Sequence, residues 1–249
     1  MSRKVVCIIP ARYESSRFPG KPLADLCGKP MIQHVYERVL DAGIVWRAAV
    51  ATDDERIYEA VRHFGGEAIM TSSSHRSGTD RIAEAVGSFA LADDDIVVNV
   101  QGDQPLLVPS QIGEVTGPLF EDPSLPMATL IYRIVREEEI THPHAVKVVF
   151  DHNHVALYFS RATIPFVRDE GLRATYYKHH GIYAYRRDFL SVFTSLEQGV
   201  LERLEALEQL RALEWGYRIK LVETAHDSVE VDCPEELERV RRILLGESS

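Results

Sequence analysis

Residues 5–22 read VVCIIPARYESSRFPGKP, an apolar run of strand length followed at once by a loop that holds three cations. The run 5–9 is rich in valine and isoleucine, which favours a buried strand. Arg12, Arg17 and Lys21 come directly after it. Because open α/β sheets bind their ligands at the carboxyl ends of the strands, the sequence predicts a cationic pocket at this end of the strand. Such a pocket suits phosphate groups, whereas scattered cations would indicate only a solvated surface.

The rest of the first half alternates strand-length apolar runs with amphipathic helical patterns, which is typical of β-α units and a mainly parallel sheet. In the second half, strands follow one another without a full helix between each, which indicates antiparallel pairing. We therefore expect an α/β fold with a mainly parallel, Rossmann-like sheet, helices on both faces and an antiparallel second-half extension. The predicted strands are 5–9, 48–52, 68–71, 96–100, 127–135, 145–150, 156–160 and 181–185, and the predicted helices are 31–42, 55–64, 80–89, 111–120 and 201–215.

Length, charge and cysteine usage narrow the class of protein. The chain has 249 residues, of which 45% are hydrophobic, enough for one domain with a sizeable core. Its net charge of -10 excludes general binding to nucleic acid or to an anionic membrane. The three cysteines form no C-x-x-C pair, and the first apolar run is too short for a signal peptide or a membrane span. We therefore expect a cytoplasmic protein with no nucleic-acid partner and no membrane insertion.

A second motif, VNVQGDQP at residues 98–105, is an apolar strand that ends in a carboxylate, Asp103. An aspartate in this position can hold Mg²⁺, which takes one or two carboxylates and fills its remaining positions with water and phosphate oxygens. The alternative is that Asp103 merely begins a Gly-Asp turn. The neighbouring cationic loop favours the magnesium site.

Ordered motifs extend from residue 8 to residue 237. They include IPARYESSRFPGKPL (9–23), MTSSSHRSGTDR (70–81), VNVQGDQP (98–105), AVKVVFD (145–151), ALYFSRATIP (156–165), KHHGIYAYR (178–186), LEQLRAL (207–213) and VEVDCPEEL (229–237). In this order they resemble the 3-deoxy-manno-octulosonate (Kdo) cytidylyltransferases, or CMP-Kdo synthetases, a group of sugar-nucleotide cytidylyltransferases. The cationic loop is not a Walker A loop, because no G-x-x-x-x-G-K-[ST] is present.

The resemblance implies an enzyme that transfers CMP from CTP to Kdo and releases pyrophosphate, an activation step of lipopolysaccharide biosynthesis. It implies a single cytidylyltransferase domain over residues 1–249, with a nucleotide-binding half at about 1–125 and an acceptor-sugar and dimer half at about 126–249. A homodimer and a Mg²⁺ cofactor are further expectations from the same source.

The resemblance also assigns roles to residues of the first half and the C-terminus. Asp232, in the last motif, joins Asp103 as a metal ligand. On composition alone the segment around Ser77 would be only a helix-capping loop. The implied catalytic residues are Arg12, Lys21, Asp103 and Asp232, and the implied nucleotide-binding residues are Arg12, Ser15, Arg17, Lys21, Ser77, Gly78, Arg81 and Asp103.

For the acceptor sugar the resemblance implies a separate set of residues. Arg161 is expected to pair with the acceptor carboxylate, a task that suits a planar guanidinium; its alternative is a structural ion pair. Six histidines lie between residues 141 and 180, but their spacing and surroundings favour no zinc site. The implied sugar-binding residues are Gln101, Arg161, His179, Tyr183 and Gln209.

Two departures from the family pattern bear on these expectations. Gln104 stands where the family usually has glutamate, which leaves open the 8-amino-3,8-dideoxy analogue of Kdo as the acceptor. Cys233 stands where the family has a threonine, and loss of a capping oxygen costs a helix about 1 kcal/mol.

Two other classes of protein fit the sequence less well. An NAD-dependent oxidoreductase requires G-x-G-x-x-G after the first strand, and this motif is missing there. A non-catalytic nucleotide- or sugar-binding protein is the second alternative. Retention of both metal carboxylates and of all three loop cations disfavours it.

Overall fold

The computed structural model describes residues 3–15, 17–169 and 171–247. The chain forms two compact units, Met1–Gly113 with Ser228–Ser249, and Glu114–Asp227. The predicted division at about residue 125 differs from this one because the C-terminal segment packs with the N-terminal unit. Whether the two units act as a single domain stays a prediction.

The first unit contains a parallel sheet of four strands in the order β6-β1-β4-β5. Strand β1 (Val5–Ala11) pairs in parallel with β4 (Arg47–Thr52) and with β6 (Ile96–Asn99), and β4 pairs in parallel with β5 (Ala68–Met70). The apolar side chains of β1 and β6 are almost completely buried, as continuous apolar runs predict for a parallel sheet. All four predicted strands are confirmed to within two residues at each end.

Two helices of the first unit, Glu55–His63 and Gly78–Val86, begin after a residue whose side-chain oxygen caps them. Asp54 accepts a hydrogen bond from the backbone N–H of Arg56 at 3.0 Å, and Ser77 accepts one from Asp80 at 3.1 Å. The described elements are α1 (Met31–Leu40), α2 (Glu55–His63), α3 (Gly78–Val86), α9 (Pro234–Leu245), a 3-10 turn (Lys21–Leu23) and the hairpin strands β2 (Asp25–Leu26) and β3 (Lys29–Pro30). Helix α4 (Ser110–Glu121) spans the point of division between the units.

An apolar cluster attaches the C-terminal helix to the start of the chain. Leu237 and Val240 of α9 pack with Leu26 and Met31, and Val231 completes the cluster. Because Asp232 follows Val231 directly, this cluster fixes the position of the second predicted metal ligand.

The second unit is mainly antiparallel, as predicted. Pairs β7–β10, β10–β8 and β8–β9 are antiparallel, and β11 joins β7 in parallel. The strands are β7 (Met127–Arg133), β8 (Lys147–Phe150), β9 (Ala156–Ser160), β10 (Tyr177–Arg186) and β11 (Ile219–Glu223), and the helices are α5 (Glu138–Thr141), α6 (Arg187–Ser195), α7 (Val200–Glu205) and α8 (Leu210–Glu214).

Strand β10 begins four residues before the predicted start at residue 181. The hydrophobic pattern did not predict the first residues of this strand, because they include two polar side chains. Lys178 and His180 are nevertheless buried. The Lys178 ammonium lies 2.6 Å from a Glu139 oxygen and 2.7 Å from an Asp227 oxygen. These two carboxylates allow a lysine to occupy a position that hydrophobicity alone assigns to a loop.

The single helix predicted over 201–215 is wrong. Two short helices, α7 and α8, replace it, and Ala206 between them adopts a left-handed conformation with φ 50°. In one continuous helix Glu202 and Arg211 would lie on opposite sides, since nine residues are two and a half turns. The reversal instead allows two hydrogen bonds between these buried side chains, at 2.6 and 2.9 Å.

No helix among the described residues is both long enough and apolar enough to cross a membrane.

Candidate active site

The cationic loop is closed by a contact between its beginning and its end. The backbone N–H of Gly20 donates to the carbonyl of Tyr13 at 2.9 Å. Gly20 has φ +73°, and a Cβ there would lie 3.0 Å from atoms of the Tyr13 ring. Glycine therefore meets both a conformational and a steric requirement, and the 3-10 turn that begins at Lys21 follows directly.

Two carboxylates from distant motifs meet at one ammonium group. The Nζ of Lys21 lies 2.8 Å from Oδ2 of Asp103 and 3.2 Å from Oδ1 of Asp232. A guanidinium nitrogen of Arg17 lies 2.9 Å from the other Asp232 oxygen. The backbone N–H of Val231 donates to the Asp103 carbonyl at 2.9 Å, so the two carboxylates are joined through the main chain as well.

The protonation of Lys21 follows from these neighbours. Burial by itself would lower the pKa of Lys21, but the charges and hydrogen bonds of Asp103 and Asp232 outweigh burial and raise that pKa. The side chain is therefore a permanent cation at neutral pH.

The end of the last motif is held by Glu236. A carboxylate oxygen of Glu236 accepts hydrogen bonds from the backbone N–H groups of Asp232, at 2.6 Å, and Cys233, at 3.1 Å. Both halves of a capping box are present, with the Cys233 thiol in the place of a hydroxyl. The main chain around Asp232 is therefore anchored even though Cys233 stands where the family has threonine. The loss of helix stability expected from that replacement stays a prediction.

Arg17, Lys21, Asp103 and Asp232 line a cavity of about 1010 Å³ in the first unit. Every residue predicted to bind the nucleotide lies on its wall, and so do the second metal ligand and one predicted sugar ligand. They are Arg12, Ser15, Arg17, Lys21, Ser77, Gly78, Arg81, Gln101, Asp103 and Asp232.

The cavity cations differ in how they are engaged. Arg12 makes no hydrogen bond or ion pair within the described ranges, so its charge is available to a ligand. Arg81 is buried, and its guanidinium binds the Thr71 hydroxyl at 2.5 Å and the Asp53 carboxylate at 3.0 Å. Arg12 is thus suited to hold phosphate, whereas Arg81 shapes the wall of the cavity.

The predicted hydroxyl ligands also hold the main chain. Ser77 caps α3, and the Ser15 hydroxyl accepts a hydrogen bond from the backbone N–H of Phe18 at 3.3 Å. Gly78, at the start of α3, approaches Pro10 closely enough that a Cβ would lie 3.4 Å from its ring.

In the second unit the structure brings together His179 and Tyr183, whose ring centroids lie 5.1 Å apart. A bulge in β10 explains their proximity, because His180 lies opposite Leu130 and Tyr183 opposite Thr129 in the ladder. Two residues are thereby left out of the pairing, and the two rings occupy neighbouring positions on one face.

Arg161 is engaged with the main chain. Its guanidinium donates to the carbonyls of Glu205 at 2.6 Å, Pro143 at 3.0 Å and Ala206 at 3.2 Å. The alternative of a structural role, here with carbonyl groups in place of an ion pair, therefore has direct geometric support.

Gln209 is buried at the start of α8. Its amide nitrogen has no hydrogen-bond acceptor within the described ranges. A buried donor without an acceptor is costly, and it suits a ligand oxygen.

Comparisons with known proteins identify the family of this chain. The profile of the cytidylyltransferase family matches residues 6–220. The chain belongs to the cytidylyltransferase family. It is therefore a nucleotidyltransferase, as predicted.

Individual relatives indicate which kind of cytidylyltransferase the chain resembles. A 3-deoxy-manno-octulosonate cytidylyltransferase of Syntrophus aciditrophicus is 78% identical over 243 residues, 98% of each chain. The solved structure of a CMP:2-keto-3-deoxy-manno-octonic acid synthetase complexed with CTP has 47% identity and a TM-score of 0.92, covering 98% of this chain and 99% of that one. An 8-amino-3,8-dideoxy-manno-octulosonate cytidylyltransferase of Shewanella oneidensis is less similar, at 54% over 241 residues, 96% of this chain and 98% of the relative. The predicted fold and the predicted membership of the Kdo cytidylyltransferases are confirmed.

The cytidylyltransferase cavity also contains residues that the sequence did not single out. Tyr13, Arg56 and His75 all line it. The one available signal was Arg56 in the first turn of α2, because a cation is disfavoured at the positive end of a helix. His75 is hydrogen-bonded to Glu84, and Glu84 also accepts the backbone N–H of Ser72 at 3.0 Å, so this pair fixes the loop before α3.

Gln104 is buried behind this cavity wall. Its amide nitrogen donates to Glu230 at 3.2 Å, and its amide oxygen has no partner within the described part of the chain. Because Gln104 stands where the family usually has glutamate, a neutral amide pairs here with the carboxyl group of Glu230.

Proposed function

We propose that this cytidylyltransferase transfers CMP from CTP to Kdo and releases pyrophosphate, with the first-unit cavity as the nucleotide site. The observation that carries the proposal is the ammonium group of Lys21 between Asp103 and Asp232 inside that cavity. Two carboxylates that meet beside a cationic loop suit a site for a triphosphate and its metal ion. The printed activity of the 78% identical relative supports the choice of acceptor.

In the proposed reaction the anomeric hydroxyl of Kdo attacks the α-phosphorus of CTP. A new oxygen–phosphorus bond forms, the bond from the α-phosphorus to the α,β-bridging oxygen breaks with its electron pair leaving on pyrophosphate, and the hydroxyl proton passes to solvent water. No covalent intermediate with the protein is required. Arg12, Arg17 and Lys21 stabilise the triphosphate and the leaving pyrophosphate by their positive charge.

The donor set at Asp103 and Asp232 fits Mg²⁺. Both groups are carboxylates, and both direct an oxygen to within 3.2 Å of the same ammonium nitrogen. Magnesium is commonly bound by one or two carboxylates together with water and substrate phosphate. When bound, it would polarise the α-phosphate and lower the pKa of the acceptor hydroxyl.

We propose that the acceptor sugar is bound by five residues, Gln101, Arg161, His179, Tyr183 and Gln209. The amide of Gln209, which lacks an acceptor in the described chain, could donate to a sugar hydroxyl. The rings of His179 and Tyr183 lie 5.1 Å apart and would offer an apolar contact to the sugar ring. Arg161 is the least available of the set, since three carbonyl groups already occupy its guanidinium.

The decisive experiment supplies the protein with CTP, Mg²⁺ and Kdo and measures pyrophosphate release, with CMP-Kdo identified by mass spectrometry. Reactions without Kdo, and with ATP in place of CTP, serve as controls. Pyrophosphate release that does not depend on Kdo, or the absence of CMP-Kdo, would refute the proposal.

The 8-amino analogue is the second candidate acceptor. Gln104 at a family glutamate position and the 54% identical relative that acts on that sugar favour its inclusion. Parallel assays with both sugars give the ratio of kcat/KM values, and we expect that ratio to favour Kdo.

We also propose that the enzyme acts as a homodimer in the cytoplasm, within lipopolysaccharide biosynthesis. Both substrates are charged, and the net charge of -10 suits a soluble protein. Light scattering on the purified protein would measure the mass of the assembly directly.

A further inference from the structure

We propose that Arg56 is a fourth cation of the nucleotide cavity and binds the terminal phosphates of CTP, an inference that rests on the proposed function. Arg56 lines the cavity together with Arg12, Arg17 and Lys21. It comes from helix α2, far along the chain from the cationic loop, and no motif of the sequence pointed to it.

The guanidinium of Arg56 is held in one orientation by Asp54. Its Nε lies 3.0 Å from one Asp54 oxygen, and its Nη2 lies 2.6 Å from the other. The side-chain hydrogen bonds from Arg56 are the largest cause of a lowered pKa of Asp54, so the carboxylate stays ionised. Asp54 is the N-cap residue of α2, so this pair of hydrogen bonds, here called the fork, is anchored to the start of the helix.

The second support is the ring of Tyr13. The Cζ atom of Arg56 lies 3.2 Å from the centre of that ring, and Gly20 packs closely against the same tyrosine. Tyr13 and Gly20 delimit the cationic loop, and Lys21 follows Gly20 directly. The stack thus places Arg56 against the phosphate-binding loop.

One edge of the guanidinium remains available. The fork to Asp54 uses Nε and Nη2, while Nη1 makes no hydrogen bond within the described ranges. The Arg56 side chain is 59% exposed. A planar group with two N–H bonds directed away from its partner can bind two phosphate oxygens, and its orientation is already set before the ligand arrives.

This placement predicts a dependence on the number of phosphates. CTP and pyrophosphate carry the β- and γ-phosphate groups that Arg56 is proposed to hold, whereas CMP lacks them. Loss of Arg56 should therefore weaken CTP and pyrophosphate binding and leave CMP binding unchanged.

The test compares Arg56→Gln with wild type by isothermal titration of CTP, CMP and pyrophosphate in one Mg²⁺ buffer. We expect the Kd of CTP and of pyrophosphate to rise about tenfold, the effect of one charged hydrogen bond, and the Kd of CMP to change less than twofold. Arg62→Gln is the matched control, since Arg62 lies on the same helix, is exposed and does not line the cavity. It should leave all three constants unchanged.

Several results would overturn the proposal. A Kd of CTP within twofold of wild type, or an equal rise for CTP and CMP, would exclude a contact with the terminal phosphates. Arg56→Lys keeps the positive charge and should lose less CTP affinity than Arg56→Gln, and an equal loss would assign the effect to the pair with Asp54. Failure of the proposed function is distinguishable, because the wild-type protein itself would then release no pyrophosphate with CTP and Kdo.

Discussion

At the residue scale, the active site depends on pairs of side chains that are remote in sequence. Lys21 is separated by 82 positions from Asp103 and by 211 positions from Asp232, yet one ammonium group binds both carboxylates. Each carboxylate follows a buried segment, Val100 and Val231, which anchors it without requiring its charge for folding. The charges are therefore available for catalysis.

We predict that Asp103→Asn and Asp232→Asn each lower kcat by about two orders of magnitude, equivalent to about 3 kcal/mol of lost transition-state stabilisation. The thermal midpoint should change little, because both side chains are partly exposed to the cavity. The measurement is pyrophosphate release at a series of Mg²⁺ concentrations. Asp41→Asn, an exposed change of the same charge outside the cavity, is the control. Near wild-type activity of either variant at limiting Mg²⁺ would contradict a shared metal site.

Arg161 illustrates how one residue type can serve binding or structure. Lysine in its place retains the charge but cannot reach three carbonyl groups from three directions. We predict that Arg161→Lys lowers the free energy of unfolding by about 1 to 2 kcal/mol, from the loss of about two hydrogen bonds. Urea denaturation measures this change, and titration of Kdo in the same variant tests the acceptor role separately. Unchanged stability with a raised KM for Kdo would favour the acceptor role over the structural one.

At the element scale, the connection between α7 and α8 shows where a repeating leucine pattern misleads. The pattern over 201–215 is compatible with one helix, but the buried pair of Glu202 and Arg211 is not. Glu214 adds a second constraint, because its carboxylate accepts the backbone N–H groups of Leu201, at 2.9 Å, and Glu202, at 3.1 Å. Hydrophobic periodicity carries no information about either interaction, since both depend on where the chain reverses.

The reversal itself gives a prediction about Ala206. A residue with a Cβ in the left-handed region is strained by about 1 kcal/mol, and glycine relieves that strain. Ala206→Gly should therefore raise the free energy of unfolding by about 0.5 to 1 kcal/mol. The control is Ala212→Gly in the following helix, where the same substitution should destabilise by about 1 kcal/mol. Urea midpoints of equal sign for both variants would contradict this account of the turn.

At the scale of the whole molecule, the sequence predicted the β-α units of the first unit well, because strands such as β1 and β4 are continuous apolar runs and an amphipathic helix follows each of them. The residues that it assigned to the nucleotide all lie on the cavity wall, and their role in binding stays a prediction. The sequence did not predict the proposed role of Arg56, which depends on stacking against Tyr13. Nor did it predict the β-bulge that brings the rings of His179 and Tyr183 close together. Those features arise from three-dimensional packing, and the unfavourable position of Arg56 in the first turn of α2 is the one local sign of them.

The buried histidines of β10 set the pH dependence of stability. Burial, and next the charge of His180, lowers the pKa of His179 from 6.5 to about 3. Burial lowers the pKa of His180 to about 4, with Lys178 acting in the same direction and Asp227 opposing it. Between pH 6.5 and pH 4 the unfolded chain therefore binds protons at these positions that the folded chain does not, and stability falls as the pH falls.

We predict that the histidine pair lowers the free energy of unfolding at pH 5, relative to pH 6.5, by about 2 to 4 kcal/mol, with each histidine contributing about 1 kcal/mol per pH unit. Glu230 acts in the opposite direction in the same window, because burial raises its pKa to about 7 and the folded chain therefore takes up a proton there. Comparison of a histidine variant with wild type isolates the contribution of the histidines. Urea denaturation at half-unit pH steps measures the slope. His180→Leu, which places an apolar residue at this buried position, should reduce the slope by about 1 kcal/mol per pH unit whatever its effect on stability at pH 7.5. A variant slope equal to that of wild type would show that protonation elsewhere controls the acid sensitivity, and that burial of this histidine pair is not its cause.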